Sequence, residues 1–152
     1  MVKRPLKHGK IINNEFYDKC FRKGRRYENF IAKKLKLHLY LTKSEQYIYG
    51  DTKEGIEIKL DNQVSKTDTI LMEVCEKTDI KNKDYVPSGI FRQDKCDKYI
   101  IGNRKEAYLF YKKDLINIYK KNKYKIFDEK TRMYFLLPIK DAKKIALKVY
   151  LW

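Results

Sequence analysis

Cysteine, histidine, proline and glycine are all scarce in this chain, with three, two, three and six copies in 152 residues. Cys20, Cys75 and Cys96 are odd in number, widely spaced and without a C-x-x-C, and His8 and His38 lie near none of them in sequence. That excludes a disulfide framework and the usual zinc-ligand spacings. Reduced thiols suit a cytoplasmic protein, and Cys75 reads as a small core residue. The few glycines and prolines leave no low-complexity linker, and no internal repeat is visible. The longest apolar runs, such as residues 134–139, fall far short of the ~20 residues a membrane-spanning helix needs. The basic N-terminus meets Lys7, His8, Gly9 and Lys10 at once, so it is not expected to be a secretory leader, and it holds no P-loop. Ser88-Gly89 reads as a turn, because no G-x-S-x-G elbow surrounds it.

What the chain does have is charge and aromatic side chains. Hydrophobic residues make up 43% and aromatics 14%, enough for a folded core despite 37% charged residues. Lys and Arg number 36 against 20 Asp and Glu, a net charge of +16, so a polyanion is the expected partner: nucleic acid first, an anionic membrane surface second. Basic residues interleave with tyrosine in two places, Arg22-Lys-Gly-Arg-Arg-Tyr27 and Tyr119-Lys-Lys-Asn-Lys-Tyr-Lys125. There cations can meet phosphates while rings stack on bases. Arg22, Lys23, Arg25, Arg26, Lys121 and Lys123 are the candidate nucleic-acid contacts; the alternative for both clusters is an ordinary solvated surface.

Residues 1–20 read as a basic arm and residues 21–152 as one domain. Tyr27, Phe30, Ile31 and Leu35 form a helical stripe, predicting a helix over about 27–38. Extended patterns follow at residues 46–51, 55–61 and 69–76, the first two joined as an antiparallel hairpin by the 51–55 turn. Further strands are expected at 98–102, 106–111 and 133–137, with a helix capped by Asp114 and a last helix capped by Asp141 with Ala142, Ile145, Ala146 and Val149 on one face. This order predicts an α/β protein in three layers, α/β/α, around a central mixed sheet.

Alternation in Ile56-Glu-Ile-Lys-Leu-Asp61 puts Ile56, Ile58 and Leu60 on one face and Glu57, Lys59 and Asp61 on the other. A tight hairpin brings Asp51 towards Glu57. Two carboxylates beside a lysine are the parts a magnesium-dependent phosphodiesterase needs: oxygen ligands for the ion, and an ammonium for a water or a phosphate. The same alternation can equally be a charged strand face in water. Glu73 interrupts Ile70-Leu-Met-Glu-Val-Cys, whose neighbours read as buried on both faces, so it requires a partner: a core ion pair or a site role.

These residues resemble the PD-(D/E)XK nuclease superfamily, which includes restriction endonucleases and Holliday-junction resolvases, and phage and viral members of it. Glu28 resembles the family's helical acid, Asp51 its metal-binding Asp, and Glu57 with Lys59 its E-x-K pair, over about residues 25–80. The resemblance implies a restriction endonuclease-like core. It implies a Mg²⁺-dependent DNA endonuclease, with Mn²⁺ as a substitute ion, acting in the host cell interior if viral, and with branched or structured DNA as one substrate class. Asp51 and Glu57 would hold the metal, with the Ile58 carbonyl as a further ligand, Glu28 would contact a metal-bound water or second ion, and Lys59 would position the attacking water. In-line attack would leave 5′-phosphate and 3′-hydroxyl ends. If the hairpin does not bring Asp51 in, Glu57 and Glu73 are the alternative pair. Resolvases act as dimers, so a homodimer is one expected state. The rival readings are a non-catalytic basic nucleic-acid-binding protein and a module that binds an acidic protein.

Overall fold

The computed structural model of the chain describes residues 14–152; the first part of the expected basic arm lies outside the described residues, and from Asn14 onward the chain is helix. That helix, α1 (Asn14–Leu35), starts earlier than its apolar stripe and ends at Leu35 rather than 38. Lys36 takes a left-handed conformation (φ 56°) and the Leu37 amide donates back to the Ala32 carbonyl, which closes the last turn.

Residues 43–49 form a helix, α2 (Lys43–Tyr49), not a strand. Tyr-Ile-Tyr is β-prone, but Thr42-Lys-Ser-Glu45 is a capping box: the Glu45 amide donates to Thr42 Oγ1 at 3.2 Å, and that hydroxyl donates to the Glu45 carboxylate at 2.7 Å. Then come β1 (Ile56–Leu60), the short α3 (Val64–Thr67), β2 (Thr69–Glu76), β3 (Val86–Pro87) and a 3₁₀ turn at Gly89–Phe91. The rest is β4 (Lys98–Gly102), β5 (Glu106–Tyr111), α4 (Lys112–Lys120), β6 (Ile126–Asp128), β7 (Arg132–Pro138), α5 (Ile139–Ile145) and β8 (Lys148–Leu151). The helix expected to include Ala146 and Val149 therefore stops at Ile145, and Val149 lies on a strand. Asp114 sits in the first turn of α4 instead of capping it.

The strands form two four-stranded sheets, in the orders β1-β4-β5-β8 and β3-β2-β7-β6. The first is mixed, β1 running parallel to β4 and the other pairs antiparallel; the second is wholly antiparallel. Thus β1 and β2, neighbours in sequence, belong to different sheets. Alternation along the mixed sheet explains the cores. Ile56, Ile58, Ile100 and Ala107 face Tyr27 and Ile31 of α1, while Tyr99, Ile101, Tyr108 and Phe110 share a second core with Ile70, Met72, Phe135 and Leu137 of the other sheet and Leu115 of α4.

A buried ion pair holds the loop between the 3₁₀ turn and β4. Lys112 Nζ donates to Asp94 Oδ1 and to the Arg92 carbonyl, both at 2.8 Å. Lys112→Met would leave Asp94 with only the looser contact to Arg92 Nε at 3.7 Å among the described residues, and we expect it to cost about 2–4 kcal/mol. Urea unfolding measures this; a loss below 1 kcal/mol would show that the pair contributes little.

Candidate functional site

β1 is an edge strand, so the backbone on its outer side needs partners other than a strand. The 51–55 turn supplies them. Ile56 N donates to Thr52 Oγ1 at 3.1 Å, Thr52 N to the Ile56 carbonyl at 3.2 Å, and Ile58 N to Asp51 Oδ2 at 2.7 Å. The tight turn is therefore present although residues 43–49 form a helix. Gly50 makes the approach possible: its φ is +86°, and a Cβ there would lie 2.9 Å from Cys96 Cβ and 3.6 Å from Glu57 Oε2.

Glu57 points from the same strand into the space between the sheets and is only 3% exposed. Its Oε1 lies 2.8 Å from Lys59 Nζ and 3.8 Å from Arg92 Nη1. Its Oε2 is buried with no hydrogen-bond partner among the described residues. An orphaned carboxylate oxygen costs on the order of 1–3 kcal/mol, which calls for an explanation. Asp51 is buried as well, at 7% exposure. Burial, then the charges of Glu57 and Glu28, push its carboxyl up from 3.8 to about 7, against the pull of the Ile58 amide. Glu28 on α1 is raised as well, by burial first and also by Glu57, although Arg25 at 2.9 Å draws it down. Three acids from α1, the turn and β1 thus act on one another.

Lys59 keeps 45% side-chain exposure. Crowding by protein atoms works against its charge, but the Glu57 carboxylate outweighs that and raises its pKa above the ordinary lysine value. It is a permanent cation here, able to donate hydrogen bonds and unable to accept a proton at neutral pH.

Beyond Lys59 the space opens into two adjoining clefts of about 290 and 690 Å³, both lined by Lys59, Glu73 and Tyr99. Arg92 and Tyr47 line the larger one; Arg92 donates to the Tyr47 carbonyl at 3.1 Å and lies 4.6 Å from the centre of its ring. Glu73 is not enclosed on both faces as its sequence suggested. β2 alternates, with Ile70, Met72 and Val74 buried and Leu71, Glu73 and Cys75 half-buried, because one side of the strand borders the cleft. Glu73 faces that cleft, and its charge acts on Arg132. Gly89 packs against it: φ is +54°, and a Cβ would lie 2.0 Å from the Glu73 carbonyl oxygen. Ser88 Oγ is buried beside it without a partner among the described residues, in the turn expected there.

The structure brings Glu28, Asp51, Glu57 and Lys59 together, with Glu73 on the opposite sheet. It divides the basic candidates. Arg25 is engaged by Glu28, and Arg22 Nε donates to the Asp18 carbonyl at 3.2 Å. Lys23 and Arg26 line a separate groove, while Lys121 and Lys123 border none of these cavities, Lys123 lying 3.5 Å from Asp141. Arg92, Tyr99 and Tyr47 were missed in the sequence: their places depend on long-range packing, and no local spacing marks them.

Asp51, with its raised carboxyl, and the orphaned Glu57 Oε2 together fit a hard divalent cation, which Mg²⁺ sites commonly bind through one or two carboxylates and several waters. Among the described residues no group of three or more His, Cys, Asp or Glu side chains is arranged to hold a metal ion. No described helix is long and apolar enough to cross a membrane. The class defined so far is a mixed α/β protein with a lysine-paired acidic site at a sheet edge. Comparison with protein-family models, curated proteins and solved structures finds no match to this chain.

Proposed function

We propose that this protein is a Mg²⁺-dependent DNA endonuclease of the PD-(D/E)XK type, with a restriction endonuclease-like core and a three-layer arrangement around the mixed sheet. The observation that carries the reading is Glu57: a buried carboxylate with one oxygen held by Lys59 at 2.8 Å, the other orphaned, and Asp51 electrostatically strained beside it. A structural ion pair would satisfy both oxygens; a site awaiting a cation would not. Asp51 and Glu57 are the residues that would hold Mg²⁺, with Mn²⁺ as a substitute. The bound ion would activate a water and offset charge on the scissile phosphate.

The chain's own residues supply the rest. Lys59, being a cation, donates to the water or to a phosphate oxygen and stabilises charge as it develops; it does not serve as the base. Arg92, on the cleft wall, is placed to meet the same phosphate. Glu28 steadies Arg25 and adds negative charge that strengthens cation binding. The rival reading, a non-catalytic nucleic-acid binder, draws on the absence of a three-ligand cluster among the described residues.

The test is incubation of the protein with linear, nicked, single-stranded and four-way-junction DNA and with RNA, in Mg²⁺ or EDTA. Cleavage in Mg²⁺ alone, leaving 5′-phosphate ends, is expected. Binding to all of these without cutting any would establish the rival. Gel filtration of the same sample reports whether the protein is a dimer.

A further inference from the structure

A groove of about 550 Å³ lies along the end of β1, outside the acidic cleft. Lys23 and Arg26 of α1, Lys66 of α3, and Arg104 and Lys105 of the β4–β5 turn line it, and no acidic residue does. Leu60 and Asn62 line both this groove and the smaller cleft at Lys59, so the two adjoin at the end of β1.

The groove is built rather than a chance gathering of lysines. Asn103 Oδ1 accepts from the amides of Lys105 and Glu106 at 2.8 and 3.0 Å, and its Nδ2 donates to Ser65 Oγ at 2.9 Å. The Tyr27 hydroxyl donates to the Asn103 carbonyl at 3.3 Å. The turn carrying Arg104 and Lys105 is thereby tied to α1 and α3, which carry the other cations. Aromatic rings lie beside two of its lining residues, Arg104 and Lys105. Arg104 lies 4.8 Å from the centre of the Phe30 ring, Lys34 lies 5.8 Å from both Phe30 and Trp152, and Trp152, 38% exposed, is anchored by its amide to the Lys105 carbonyl at 3.0 Å.

We propose that this groove, with Trp152 beside it, is the track for a single polynucleotide strand with unpaired bases, guiding it past Leu60 and Asn62 towards the cleft at Lys59. Cations along a groove hold phosphates, while the part of the Trp152 ring left exposed beside its stack on Tyr150, 5.2 Å between centres, rewards bases whose faces are free. A duplex hides those faces. The guiding role rests on the proposed nuclease reading, but binding is measured without cleavage.

The test uses fluorescence anisotropy in EDTA with labelled 20-nucleotide single strands and the matching duplex. Arg104→Glu with Lys105→Glu is expected to weaken single-strand binding at least tenfold and to flatten the salt dependence by about 1.4 in log–log slope. Lys143→Glu with Lys144→Glu, on the exposed side of α5, makes the same charge change elsewhere and should weaken binding less than threefold. Arg26→Glu, on the helix side, provides a second variant should the turn pair prove misfolded by circular dichroism. Trp152, the single tryptophan, should be quenched by the single strand more than by the duplex. Equal losses from both pairs would overturn the groove, as would tighter duplex binding without quenching. If the groove variants lose binding but wild-type protein never cuts in Mg²⁺, the nuclease reading fails and the groove stands. If wild type and groove variants cut and bind alike, the groove fails alone.

Discussion

Lys59→Met is expected to slow DNA cleavage by roughly 10³-fold while leaving DNA affinity within about threefold, because the lost ammonium acts where charge develops and not where the backbone is gathered. The variant also removes the nearest cation from Glu57, which among the described residues keeps Arg92 at 3.8 Å. Lys59 is half-exposed, so we expect a stability loss of about 1–2 kcal/mol, below that of a fully buried pair. Lys59→Arg separates the two effects. It restores the charge beside Glu57 and hence stability, but its planar fork does not reproduce a point donor, so the rate should stay at least 10²-fold low. Single-turnover rates and urea unfolding of both variants provide the comparison. If Lys59→Arg recovered the rate together with the stability, the lysine would be a charge partner for Glu57 and nothing more.

Asp51→Asn should make the metal-free protein more stable at pH 8, an unusual direction for replacing a buried polar residue. The folded-state carboxyl titrates at about 7, well above its ordinary 3.8. Between those values the unfolded chain has released the proton and the folded chain still holds it, so stability falls as pH rises through this window. Above about 7 the full penalty is present, on the order of 2–4 kcal/mol. Asparagine is nearly isosteric, its carbonyl can still accept the Ile58 amide, and it carries no charge to repel Glu57 and Glu28. The variant should therefore lose the slope between pH 4 and 7. Mg²⁺ should raise the melting temperature of wild type at pH 8 and leave Asp51→Asn unmoved, because the ion binds only the native state. Metal-free unfolding curves at pH 4.5 and pH 8 test this, and a variant less stable than wild type at pH 8 would mark Asp51 as a structural cap of the β1 edge.

The legible parts of the site were those set by local pattern. Alternation over β1 placed Glu57 and Lys59 on one face, the turn residues brought Asp51 back to it, and the stripe on α1 kept Glu28 at the margin of the buried face. What could not be read depends on partners far apart in sequence. Nothing local in β2 says that it pairs with β7 and β3 instead of β1, so one expected sheet became two. The β-prone Tyr-Ile-Tyr of α2 hid a capping box at Thr42, because cap chemistry acts on backbone amides that propensity ignores. Residues 148–151 continue an apolar pattern that suits helix or strand, and the free edge of β5 selects strand. Arg92 reaches the cleft because the Lys112–Asp94 pair holds its loop, a contact across 18 residues. The Gly102-Asn103 dipeptide was a visible turn signal, and following it would have found the basic groove.

The central claim, that the acids at the edge of β1 form a metal-dependent phosphodiesterase centre, is tested most directly by single-turnover cleavage with wild type and Glu57→Gln purified side by side. Wild type is expected to cut DNA in Mg²⁺ and not in EDTA, while Glu57→Gln, folded and DNA-binding, is slower by at least about 10³-fold. Equal cutting by the two proteins, or none by wild type in Mg²⁺ or Mn²⁺ on any DNA tested, would contradict it.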